Sequence, residues 1–250
     1  MNEIRLVGLE GIPEVKPGDV LAHHIIDSVG RSGVALEKND VLVVAQKIVS
    51  KAEGRLVCLD DVVPSAFAHA LARTRSIDAR MAELVLRESR RIVRMNERVI
   101  ITETHHGLIC ANAGVDYSNV PREGCVALLP QDPDASAARL REDLMQRLGV
   151  DLAVIISDTF GRPWREGLTN VAIGLAGINP LNDFRHQKDD FGRLLRATVL
   201  ASADELATAA GLIMRKTSRL PVVVIKGFVF EAGEHSMREL LRSKEQDLFR

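Results

Sequence analysis

Two acids in this chain stand where apolar runs give way to hydroxyl and amide side chains. The run Leu152-Ala-Val-Ile-Ile156 leads into Ser157, Asp158 and Thr159, then into Gly161, Arg162, Pro163, the single tryptophan Trp164, and Arg165. A carboxylate beside a hydroxyl at a strand's C-terminal end offers hard oxygens suited to Mg²⁺ or Mn²⁺. The same Asp-Thr pair also suits a plain turn, and taken alone this segment favours the turn. Arg162 and Arg165 can converge on a phosphate or carboxylate in forked geometry, or simply form a basic rim.

A second segment shifts the balance. Gly107-Leu-Ile-Cys-Ala runs into Asn112-Ala-Gly-Val-Asp116-Tyr-Ser118-Asn119, crowding amides and oxygens around Gly114. Two strand-end acids on separate segments are what a divalent cation with phosphates requires, because one charge seldom outcompetes the water around Mg²⁺. A third segment, Val43-Val-Ala-Gln46-Lys47-Ile-Val-Ser50-Lys51, sets lysines just after a strand. They can neutralise polyphosphate oxygens as point charges, or be an ordinary solvated turn. Common alternatives are absent: no GxxxxGK[ST] loop, no GxGxxG after a strand, no GxSxG and no HExxH occur. The pairs His23-His24 and His105-His106 are poor joint ligands, since sequence neighbours point apart.

The elements that must position these groups read as short aliphatic strands at 41–44, 99–102, 108–111, 126–129, 152–156, 171–178 and 221–225. Helices are expected over 134–148, with Asp134 as N-cap and Gly149 as stop, and from a Ser202–Glu205 capping box through Met214. A further helix is expected over 78–93, with Met81, Leu84, Val85 and Ile92 inward, and a second capping box at Ser236–Glu239. Residues 56–80 and 179–196 read as irregular. Hairpin-like pairs mixed with single helices predict an α+β chain with a mixed sheet.

Composition narrows the classes. The chain has 250 residues, 46% hydrophobic and 27% charged, with a net charge of −1. That is enough for a sizeable core, and it lacks the field that holds nucleic acid or anionic membranes. No apolar run approaches the ~20 residues of a membrane helix, and the N-terminus lacks signal-peptide features. Cys58, Cys110 and Cys125 read as reduced thiols, too scattered for a disulfide framework or a zinc site. A soluble, cytoplasmic protein is expected.

Together these segments resemble the coenzyme F420:L-glutamate ligases, the γ-glutamyl ligases that build the tail of a deazaflavin coenzyme. The resemblance rests on LEGIPEVKPGDVL, DVLVVAQKIVSKAEGR, GLICANAGVDYSNV, LLPQDPDASAARLR and VIISDTFGRPWREG, continued by VAIGLAGI, SADELATAAGLIM and PVVVIKGF. They occur in the family's order from residue 9 to about 228, and the closing SMRELLRSKEQDLFR also fits. NAGVDYSN followed by SDTFGRPWR is the specific combination.

The resemblance implies one ligase domain over 1–250, with room for two interwoven lobes, assembled as an intimate homodimer of the family's mixed-sheet type. It implies GTP as co-substrate, Mg²⁺ or Mn²⁺, and K⁺ as a further requirement in some members. The implied reaction activates the tail carboxylate of coenzyme F420-0 as an acyl phosphate, which the amine of L-glutamate displaces. Residue by residue, Asp116, Asp158 and Thr159 match metal positions. Asn119, Lys51 and Ile12-Pro13-Glu14-Val15 match nucleotide positions. Gln46 stands where many relatives carry a small hydroxyl residue, and its amide can still meet the nucleotide. Lys216 falls where several relatives have Gly followed by an acid or amide near the metals; it can contact phosphate, and it puts a second metal in doubt. No flavin-reductase-like C-terminal extension is expected. Asp116 and Glu166 are the arguable general bases, with nothing to single one out. A ligase with another carboxylate acceptor and a non-catalytic nucleotide-binding relative are the alternatives.

Overall fold

The structure is a computed structural model, and it describes residues 3–248. The outermost residues of the expected 1–250 domain, including Phe249 and Arg250 of the C-terminal run, lie outside the described residues.

In chain order, β1 (Arg5–Gly8) is followed by α1 (Leu21–Ser32), which Gly33 closes in the left-handed region. β2 (Val41–Ala45) runs directly into α2 (Gln46–Ala52). A peripheral unit comes next, with β3 (Leu56–Cys58), α3 (Ala66–Thr74) and α4 (Ala79–Arg87). It continues through β4 (Ser89–Met95), β5 (Ile100–Thr104), β6 (Ile109–Ala111) and β7 (Cys125–Ala127). The chain returns with α5 (Pro133–Leu148), β8 (Ala153–Arg162) and β9 (Arg165–Ala176). The short pair β10 (Asn182–Asp183) and β11 (Val199–Leu200) precedes α6 (Ser202–Met214) and β12 (Val222–Lys226).

The expected mixed sheet is present. Its order is β1-β12-β2-β8-β9, with β2 and β8 parallel and the other pairs antiparallel. Val41–Val44, Val154–Ile156 and Val222–Ile225 are at most 1% exposed. Successive strand residues face opposite ways, so burial of every one means both faces are covered. Helices α5 and α6 pack on the sheet, α5 on β8 and β9, and α6 on β9, β1 and β12. Each fully buried Val, Leu or Ile contributes roughly 1.5–3 kcal/mol. A second apolar cluster, built around Leu71, Met81, Val85, Ile100 and Val126, holds the peripheral unit. Among the described residues no helix is long and apolar enough to cross a membrane.

Several local expectations are corrected. The helix expected over 78–93 ends at Arg87, and Ser89–Met95 forms β4 paired to β5. Ile92 and Val93 are β-branched, and ladder bonds to β5 outweigh the apolar spacing. Asp132, not Asp134, caps α5 by accepting from Ala135 N at 3.0 Å, with Pro133 in the first turn. Asp134 instead accepts from Leu175 N at 2.9 Å and Ser236 Oγ at 2.6 Å, tying the C-terminal segment to β9. No side chain caps α6; the capping box forms only at Ser236. Residues 56–80 are not irregular, since they contain β3 and α3. Most consequentially, Cys58 and Cys125 are not free thiols. They sit opposite each other in the antiparallel β3–β7 pair and form a disulfide. Their wide spacing in sequence concealed that juxtaposition, and the reduced-cysteine support for a cytoplasmic setting falls away. Cys110 is free and buried.

Candidate active site

The parallel pair decides where the chemistry is placed. Ala45 of β2 stands in register with Ser157 of β8, so Gln46-Lys47 and Asp158-Thr159 leave the sheet at the same edge. A crevice outside the carboxyl ends of parallel strands is where open α/β sheets bind ligands. Here it is a cavity of about 990 Å³. Strand β8 does not stop at Asp158. It continues to Arg162, turns through Pro163-Trp164 and returns as β9, so Asp158 and Thr159 lie where a buried strand becomes a projecting hairpin.

Asp116 reaches the same cavity from the peripheral unit. Asn112, Ala113 and Gly114 all have positive φ, at 51°, 54° and 72°, and so reverse the chain sharply. At Gly114 a Cβ would also lie 2.7 Å from Leu129. Asp116 then pairs with Ala127, N–H to carbonyl in both directions at 3.1 and 2.9 Å. Asn112 is spent on this turn, its Oδ1 accepting from Ile100 N at 3.2 Å.

The electrostatics are tightly coupled. Lys47 Nζ donates to Asp116 Oδ2 at 2.5 Å and to the carbonyl of Ser118 at 2.6 Å. Ser118 donates to the same carboxylate through its N–H at 2.8 Å and its hydroxyl at 2.6 Å. Burial pushes the Asp116 carboxyl up, but Lys47 and Ser118 outweigh it and hold it below the usual carboxylate range. Asp158 behaves in the opposite way. Partly exposed by area yet walled by protein atoms, it is pushed up to about 6 by burial. Thr159 N–H, Lys47 and Lys216 oppose that rise, and Asp116 adds to it. Thr159 Oγ1 donates to Asn170 Oδ1 at 3.1 Å and accepts from Lys216 Nζ at 3.1 Å.

Ile12, Pro13, Glu14 and Val15 line the same cavity. Lys51, only 5% exposed, reaches across to Glu14 Oε1 at 2.5 Å. Gln46 lines the cavity, but its amide hydrogens go to Ser50 Oγ at 2.5 Å and the Leu128 carbonyl at 3.1 Å. Asn119, at φ 55°, and Lys216 complete this set. The structure therefore brings together Asp116, Asp158, Thr159, Asn119, Lys51, Gln46, Lys216 and the 12–15 segment. It does not bring Arg162 and Arg165 with them. These face each other at the hairpin tip, exposed, with Arg162 Nη2 donating to the Glu166 carbonyl at 2.8 Å. Sequence reasoning missed Asn170, Arg215 and Arg219, all of which line the cavity. An amide on β9 just before the apolar 171–178 run was the available signal for Asn170.

The residues fit a hard divalent cation. Asp116, Asp158 and the Thr159 hydroxyl are oxygen donors, and a carboxylate whose burial disfavours its charge gains from a cation beside it. Among the described residues no group of three His, Cys, Asp or Glu side chains surrounds one point. Phosphate oxygens and water must complete the shell, as Mg²⁺ commonly arranges. Cys110, buried nearby and pushed up to about 12 by burial and Asp158, is no nucleophile at neutral pH.

Known proteins bear on this geometry. The family model described as F420-0:gamma-glutamyl ligase matches residues 11–227. A coenzyme F420:L-glutamate ligase of Methanothermobacter thermautotrophicus is 43% identical over 250 residues, covering 99% of each chain. That of Methanopyrus kandleri is 44% identical over 258 residues, covering all of both chains. That of Methanocaldococcus jannaschii is 38% identical over 250 residues, covering 100% of this chain and 98% of its own length.

Proposed function

The chain belongs to the F420-0:gamma-glutamyl ligase family, and on that premise we propose that it is a GTP-dependent ligase adding L-glutamate to the deazaflavin precursor coenzyme F420-0. One or more glutamates are added, γ-linked after the first. The observation that carries the reading is the convergence of Asp116, Asp158 and Thr159 with Lys47, Lys51 and Lys216 in one cavity.

In this reading Asp116, Asp158 and Thr159 hold Mg²⁺ or Mn²⁺, which when bound neutralises charge on the phosphates. Lys47, Lys51 and Lys216 supply fixed positive charge around them, since phosphoryl transfer is catalysed mainly by positioning and charge neutralisation. A carboxylate oxygen of the acceptor attacks the γ-phosphorus, the bond to the β–γ bridging oxygen breaks, and GDP leaves. The unprotonated glutamate amine then attacks the acyl carbon, phosphate departs, and the nitrogen loses its proton to give the amide. The 12–15 segment and Asn119 line the nucleotide's path. Arg162 and Arg165, at the hairpin tip, enter no step.

A homodimer, a K⁺ requirement and a cytoplasmic setting belong to the same proposal. Exposed apolar side chains on the hairpin and the loop after β10, with Leu168 67% and Phe191 85% exposed, support the dimer.

The test mixes the protein with coenzyme F420-0, L-glutamate, GTP and Mn²⁺, with K⁺ or Na⁺, and reads products by mass spectrometry. Glutamyl mass increments matched by GDP are expected, with Asp158→Ala reducing turnover roughly 10³-fold. GTP turnover only with another carboxylate acceptor would reassign the substrate, and Asp158→Ala activity within a few fold of the parent would sink the cation assignment.

A further inference from the structure

Lys216 lies two residues beyond the end of α6, in the 215–219 loop bounded by two non-glycine residues of positive φ, Arg215 at 45° and Arg219 at 54°. Such backbone persists only where its surroundings enforce it. The surroundings here are explicit. Thr208 Oγ1 donates to the Asn170 carbonyl at 2.8 Å, and Gly211 lets α6 close on the Asn170 side chain, where a Cβ would lie 3.0 Å from Asn170 Cγ. The Thr159 hydroxyl donates to Asn170 Oδ1, which turns the oxygen's lone pairs away from Asn170, and Lys216 Nζ donates to one of them at 3.1 Å. An ammonium thus takes one lone pair of the oxygen next to Asp158, where a second cation would otherwise bind, and leaves the other lone pair to the cation held with Asp158.

The charges of the whole cavity agree. Lys47, Lys51, Arg215, Lys216 and Arg219 face Glu14, Asp116 and Asp158, a surplus of two positive charges. A nucleoside triphosphate carries roughly four negative charges at neutral pH. With one divalent cation it carries about two, which this cavity matches.

Building on the ligase reading, we propose that Lys216 is a built-in cation of the site and a phosphate-binding residue, so that this chain binds a single divalent cation per nucleotide. Lys216 is exposed, so its replacement leaves the core intact. The test is Mn²⁺ binding counted by electron paramagnetic resonance in the presence of a non-hydrolysable GTP analogue, with folding followed by circular dichroism. The parent and Lys216→Arg are expected to bind one Mn²⁺ per bound nucleotide. Lys216→Glu is expected to bind two, with analogue affinity in Mn²⁺-limited solution reduced about tenfold. Two Mn²⁺ per nucleotide in the parent, or one in folded Lys216→Glu, overturns this inference and leaves the ligase reading standing. Absence of analogue binding by the parent removes both.

Discussion

Asp158 couples the site's chemistry to its stability. Its folded pKa, about 6, lies above the 3.8 of an ordinary aspartate, so its contribution is fully present below about 3.8 and lost as pH rises through about 6. The shift sets a ceiling of about 3 kcal/mol. Partial exposure at the cavity floor reduces that to roughly 1–2 kcal/mol. Without metal, Asp158→Asn should therefore melt roughly 2–6 °C higher than the parent at pH 8 and nearly together with it at pH 4. Thermal denaturation in a chelator at both pH values checks this, and equal melting at pH 8 would show the carboxylate is not penalised. Asp116 is the reverse case, already paired with Lys47 and Ser118. Two acids in one cavity with pKa values moved apart are the arrangement expected where charge is handled.

Among the elements, the β3–β7 pair has the clearest consequence. Cys58 and Cys125 close a loop of 67 residues that contains the peripheral unit and the segment bearing Asp116, Ser118 and Asn119. In the chain-entropy view a loop of that length is worth about 4 kcal/mol. Reduction, or Cys58→Ser with Cys125→Ser, should lower the melting temperature on the order of 10 °C. Scanning calorimetry with and without dithiothreitol reads it, and unchanged melting would mean the bridge adds nothing. The β8–β9 hairpin shows the other side of element-level logic. The same strand is fully buried at Val154–Ile156 and exposed at its tip, so it serves the core, the site and an outer surface in turn.

For the whole molecule, the proposed homodimer makes a direct demand on that outer surface. Leu168 at 67% and Phe191 at 85% exposed are large apolar groups for a monomer to leave in water. Multi-angle light scattering should give a mass near 55 kDa, about twice the 27.4 kDa chain. Leu168→Asp with Phe191→Asp should shift it toward the monomer, and a monomeric parent would remove the dimer from the proposal.

Much of the frame was legible from composition and periodicity. Val41–Val44 of β2, Ala153–Ile156 of β8 and Val222–Ile225 of β12 are continuous aliphatic runs, whose burial on both faces follows from apolar residues at every position. Asp116 and Asp158-Thr159 stood out because hard oxygens ended such runs. The closing SMRE capping box is local chemistry, and it formed as read. What only the tertiary structure decided are the meetings of distant segments. Strand pairing made 89–95 a strand, and the capping chemistry of 132–134 moved Asp134 to β9. The β3–β7 register joined two cysteines that looked unrelated, and the hairpin carried Arg162 and Arg165 away from the acids they follow. Lys47 on Asp116 and Lys216 on Thr159 belong to the same class. Side-chain types and spacing report what a segment can do, but only the parallel register of β2 with β8, and the turn at 112–114, decide which charges share one cavity.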